Sequence, residues 1–124
     1  MATMTPTLGA YVKYEDSESR YSRDDVTVIA GQNLAIGTVV ARITASGKVT
    51  AYNPAGADGS QNAIGIMSAS VDATAADTPG VIIARHAVLV ARDSLVWAGS
   101  PTTPQKDTAM AAMKALGLLS RATV

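Results

Sequence analysis

The sequence predicts a mainly β, barrel-like body with one helix in its C-terminal half, preceded by an extended N-terminal arm. Three observations predict it. From residue 26 to residue 91, short β-branched runs recur between breaks rich in Gly, Pro, Asn and Asp. A helix start, an apolar stripe and a helix stop coincide only between residues 103 and 117. Residues 1–20 sustain neither a 3.6-residue nor a 2-residue period. The resulting division is an arm over 1–22 and a body over 23–124.

The arm begins with small polar residues, Pro6 and Gly9, and then becomes charged: residues 11–25 hold eight of the twenty charges. Tyr11, Tyr14 and Tyr21 are interleaved with them. "YVKY" (11–14) alternates in a way that suits a short strand wherever a partner supplies an edge. In the body, "VTVIA" (26–30) is β-branched and apolar. "GTVVARIT" and "KVTAY" flank the turn-forming "ASGK", so 38–52 reads as a hairpin. Loops are expected at "NPAGADGS" (53–60) and "DATAADTPG" (72–80), with a strand at "NAIGIMSA" (62–69) between them. "VIIARHAVLVA" (81–91) is apolar on both alternating faces, which makes it central or bent across two layers. The helix takes Thr103 as its cap and Pro104 in its first turn, with Ala109, Met110, Met113 and Leu116 on one stripe. Gly117 stops it, and "LLSR" (118–121) is a closing strand.

Composition narrows the function. A chain of 124 residues suits one domain that buries roughly two-thirds of its unfolded surface. With no cysteine there is no disulfide, zinc–thiolate site or thiol catalysis. Ten basic and ten acidic residues cancel, against the uncompensated cations that sequence-independent nucleic-acid binding requires. No apolar run approaches a membrane span, and "MATMTPTLGA" lacks the basic-then-apolar order of a signal peptide. The expectation is therefore a soluble chain made in the cytoplasm, with neither nucleic acid nor membrane as partner. There is no Phe, one Trp and 23 Ala; such a core buries little area per residue, a composition that favours oligomers.

Residues able to carry chemistry are few. His86 is the only histidine, and its neighbour Arg85 points to the opposite face if both lie in a strand. The adjacent carboxylates Asp24 and Asp25 diverge in an extended segment and miss the spacing of a calcium loop. Asp58-Gly59 suits a turn. Gly31 and Gly37 bracket a segment that runs into Thr-Val-Val rather than a helix, so they read as turn residues with Leu34 tucked inward, not as a phosphate cradle. Lys48 at the hairpin turn occupies the position of the modified lysine in biotinyl and lipoyl carriers, without their flanking residues. A carrier or a trimeric β-clip enzyme using Lys48 or His86 thus stays open as an alternative. No cofactor or metal is expected. Trp97 fits either a subunit interface or the packing of the helix onto the barrel.

Four segments taken together carry a family resemblance: "YSRDDVTVIAGQNLAIGTVVARITASGKVTAY" (21–52), "DGSQNAIGIM" (58–67), "VDATAADTPGVIIAR" (71–85) and "AAMKALGLLSR" (111–121). In this order the chain resembles the head decoration, or capsid stabilisation, proteins of tailed bacteriophages, the lambda protein D family. The resemblance implies a β-clip-like fold with a flexible N-terminal arm and a non-enzymatic structural role. It also implies a homotrimer seated on the outer surface of the expanded head at local three-fold positions. There it would bind the major capsid protein and stabilise the head against internal DNA pressure. Leu8, Tyr11, Val12 and Tyr14, apolar or aromatic groups of the arm, are the expected capsid contacts, and Trp97 the expected anchor of the trimer interface.

Overall fold

The computed structural model describes residues 12–15, 23–85, 87–89, 95–99 and 101–120. The strands are β1 (Val12–Glu15), β2 (Arg23–Val28), β3 (Gln32–Leu34), β4 (Val39–Arg42), β5 (Val49–Ala51), β6 (Ala63–Met67), β7 (Val71–Ala73), β8 (Thr78–Ile83), β9 (Ala87–Leu89) and β10 (Leu118–Ser120), with helix α1 (Thr103–Ala115) between the last two. Five strands close a barrel in the order β2-β5-β4-β6-β8. The β2–β8 pairing runs antiparallel from Arg23↔Ile83 to Val28↔Thr78. A parallel contact, Val28↔Val49, closes the ring. Two smaller sheets flank it, β1-β9-β10 and β3-β7.

Consecutive apolar residues on three barrel strands explain the architecture. Val39 and Val40, Ile66 and Met67, and Ile82 and Ile83 are neighbours in sequence, and all six are fully buried. Side chains alternate across a strand, so one of each pair faces the barrel interior and the other faces outward. The interior set, Val40, Met67 and Ile82, packs with Val26, Val28, Leu34 and Val49. The outward set, Val39, Ile66 and Ile83, packs with Leu89, Leu95, Met113 and Leu118. The β1-β9-β10 sheet and α1 therefore cover a barrel wall that would otherwise be apolar and wet. "VIIARHAVLVA" spans both layers: Val81–Ile83 belong to β8, the chain bends at Ala84–Arg85, and Ala87–Leu89 form β9 in the second sheet.

The hairpin expected at 38–52 is β4 and β5, paired from Arg42↔Val49 to Val40↔Ala51. On its other side β4 pairs with β6 through a register shift between Val40 and Ala41. Gly65 lies at that irregularity. A Cβ there would collide with the carbonyl of Ile83, so β6 and β8 approach closely only because residue 65 has no side chain.

Several expectations need correction. The loop expected over 72–80 is confined to 74–77, because β7 and the start of β8 occupy its ends. Asp72 explains the tight connection: its carboxylate accepts from the Thr74 backbone N–H and hydroxyl, which folds the chain back locally. Residues 32–34, read only as a segment between glycine turns, form a strand on β7 with Leu34 buried as expected. The helix is capped by Thr102, not Thr103. Thr102 Oγ1 accepts from Gln105 N, and Gln105 Oε1 accepts from Thr102 N, a reciprocal capping box that Thr103 cannot make. Along the stripe Ala109 and Met113 are buried and Met110 is half-buried, whereas Leu116, at the C-cap, is exposed. Gly117 follows with φ 93° and releases the chain into β10, which runs parallel to β9.

Candidate functional site

The N-terminal segment meets the body through β1. Its antiparallel register on β9 runs from Val12↔Leu89 to Glu15↔Ala87, with an irregularity between Val12 and Tyr14. The edge that the 11–14 alternation requires is thus supplied by the chain's own β9. Val12 is half-buried and packs on the outer core that contains Leu89. Leu8 and Tyr11, two other expected contacts, lie outside the described residues, as does the side chain of Tyr14. His86 lies outside them too. Arg85 sits in the bend after β8 rather than in a strand.

Trp97 occupies an intramolecular junction. Its ring meets Tyr52 edge-on, with centroids 6.0 Å apart and planes at 72°. The ammonium of Lys106, in the first turns of α1, lies 5.8 Å from the ring centroid. Tyr52 is 3% exposed, and its hydroxyl donates to the Gln105 carbonyl at 3.0 Å. Burial raises the Tyr52 pKa above the usual phenol value, so the phenol stays a neutral donor. Neighbouring backbone bonds, Val39 N to the Val96 carbonyl and Val96 N to the Gly37 carbonyl, hold residues 95–97 against the start of β4. Trp97 and Tyr52 therefore dock the start of α1 onto the barrel.

Two ion pairs tie distant segments together. Arg85 grips Asp24 with two nitrogens at 2.9 and 2.7 Å. Asp25, one position on, is exposed on the other face of β2, so the two carboxylates diverge as an extended segment dictates. Lys48 Nζ lies 2.6 Å from Asp77 Oδ2, and Asp77 Oδ1 also accepts from Ala30 N at 2.8 Å. These bonds, that from Lys48 foremost, hold the Asp77 pKa below the usual carboxylate value. Asp58 is lowered chiefly by the Ser60 hydroxyl, which donates at 2.5 Å and makes 58–60 a tight turn. Among the described residues no three His, Cys, Asp or Glu side chains are grouped to hold a metal ion. Nor is any helix there long and apolar enough to cross a membrane.

What the arrangement offers is a closed barrel, an N-terminal strand tethered to it and charges tied by ion pairs between distant segments. The family model of the bacteriophage lambda head decoration protein D matches residues 1–118. The chain belongs to this family. Head decoration proteins are structural components of the phage capsid, and the match covers both the N-terminal segment and the body. None of the curated proteins matches the chain significantly. The motifs that carry the resemblance fall where the decoration-protein body turns and packs: "AGQNLAIGTV" links β2 to β4 through β3, "DGSQNAIGI" leads into β6, and "VDATA" is β7 with its Asp72–Thr74 turn.

Sequence reasoning had no access to several of these contacts. Asp24 and Arg85 are 61 positions apart, and only the closure of β2 on β8 brings them together. The same holds for Lys48 and Asp77. It also holds for three side-chain amides, Gln32, Asn53 and Gln105, which come from three separate elements and line one groove.

Proposed function

We propose that the chain works as a homotrimer on the outside of the expanded phage head, at local three-fold positions, where it binds the major capsid protein and stabilises the shell against internal DNA pressure. The observation that carries this reading is the family match, which is continuous from the N-terminal segment through the body. Synthesis in the host cytoplasm and the lack of a membrane partner belong to the same reading, and the balanced charge argues against a nucleic-acid partner.

In this reading residues 1–22 are the capsid-binding arm and 23–124 the decoration domain, with Leu8, Tyr11, Val12 and Tyr14 as contacts. Backbone hydrogen bonds of an added strand give affinity, and alternate side chains give register. Ordering every twelve residues of such an arm opposes binding by about 12–24 kcal/mol of backbone entropy. Two features reduce that opposition. The β1–β9 pairing supports an arm already partly fixed at 12–15, and three arms on one trimer bind at high effective concentration. Once seated, the protein stabilises only the lattice it recognises, by RT ln(1 + [L]/Kd) per site. Trp97 as a trimer anchor belongs to the same proposal.

The test is deletion of residues 2–18. The barrel and helix should survive at a lower melting temperature, since β9 loses β1 and the core loses Val12. Sedimentation should show an intact trimer that no longer co-sediments with expanded capsids. Undiminished decoration by the truncated chain would end the arm assignment. Tyr11→Ala combined with Tyr14→Ala tests the narrower contact claim without disturbing Val12, and wild-type occupancy would refute it.

A further inference from the structure

A groove of about 530 Å³ lies where β3, the end of β5 and the first turn of α1 meet. Gln32, Asn53 and Gln105 all line it. In each, the amide oxygen is held by a backbone N–H. Ala51 donates to Gln32 Oε1 at 3.4 Å, Ala55 to Asn53 Oδ1 at 3.1 Å, and Thr102 to Gln105 Oε1 at 2.8 Å. A backbone N–H only donates, so each amide must turn its oxygen toward it and its NH2 away. None of the three amide nitrogens bonds to another described residue. All three NH2 groups are thereby available to a ligand, at side chains whose oxygens are already held.

The ligand class follows from what surrounds them. No charged side chain lines the groove, which disfavours phosphate, carboxylate or a charged peptide. Pro54 and Pro101 supply short apolar walls. The Tyr52 ring is buried and its hydroxyl is committed to Gln105, so no aromatic face is open for a sugar ring to stack on. Neutral donors spread along a groove match neutral acceptors spread along a chain, the carbonyls of an extended peptide. We propose that this groove binds an extended, uncharged segment of the capsid protein by donating to its backbone carbonyls. It gives the body a docking site separate from the N-terminal arm, and it rests on the capsid-binding reading above.

The test is the combined variant Gln32→Glu, Asn53→Asp, Gln105→Glu. Each change keeps the oxygen that the backbone N–H holds, and Gln105→Glu preserves the capping box, while all three NH2 groups are lost. The melting temperature should stay close to wild type, and apparent affinity for expanded capsids should fall on the order of 100-fold. Asn53→Asp alone, at an exposed loop position, should lower it on the order of 10-fold and gives a reading even if the triple variant misfolds. Wild-type affinity in both variants would overturn the groove while leaving the capsid role intact. Loss of self-association with capsid affinity retained per protomer would also overturn it, making the groove a contact between copies. Failure of the wild-type chain to bind capsids at all would remove the proposed function and this inference together.

Discussion

Arg85 holds Asp24 in a two-pronged ion pair, with both terminal guanidinium nitrogens within 2.9 Å of the carboxylate oxygens. The pair joins the start of β2 to the bend where the chain leaves β8 for β9, so it fastens the exit of the N-terminal segment to the point where the two sheets part. Both side chains are about a third exposed, at 31% and 33%. Solvent screening keeps such a pair modest, and a double-mutant cycle with Asp24→Ala and Arg85→Ala should return a coupling of about 0.5–1 kcal/mol in urea unfolding. A coupling of zero would show the pair to be incidental to stability.

Acid should loosen the barrel end held by Asp77. Its pKa is depressed by Lys48 and by the Ala30 N–H. A depressed carboxylate contributes stability that is fully present above the unfolded value, about pH 4, and is lost as pH falls through the folded value. Asp58 and Asp72, lowered by the Ser60 and Thr74 hydroxyls, act in the same direction. Asp77→Asn should therefore melt below wild type at neutral pH, with the gap narrowing below about pH 4. A gap that does not change with pH would point to packing rather than charge.

Gly65→Ala should cost about 1–3 kcal/mol, because the added methyl meets the Ile83 carbonyl and β6 must shift against β8. Ala at the exposed Gly47, with φ 72° but open space around it, tests backbone strain without a clash. Equal losses at both positions would contradict the close-approach explanation.

Tyr52→Phe removes one hydrogen bond to the first turn of α1 and should cost about 1 kcal/mol. Trp97→Ala removes an edge-to-face partner as well as buried area and should cost more, about 2–4 kcal/mol. Sedimentation at matched stability separates the two roles of Trp97: weakened self-association beyond the loss of stability marks an interface residue, and unchanged association confines it to docking the helix.

Much of this fold is legible in local chemistry. The hairpin at 38–52, the inward Leu34, the bend inside "VIIARHAVLVA", the helix with Gly117 behind it and the closing strand all follow from periodicity and turn residues. What was not legible depends on choices between near-equal neighbours or on distant closure. Thr102 and Thr103 are both chemically able caps, and only the reach of Gln105 back to residue 102 decides between them. The three-residue β7 is too short to show alternation. The Arg85–Asp24 and Lys48–Asp77 pairs, and the amide groove, arise from β2 closing on β8 and from α1 docking, which no local pattern encodes.

The central claim is selective binding to the expanded head. Co-sedimentation of the full chain with expanded and unexpanded capsids of its own phage tests it most directly. Saturable binding to the expanded shell, in multiples of three copies per site and much weaker on the unexpanded one, is the predicted result. Equal binding to both lattices, or none to either, would contradict it.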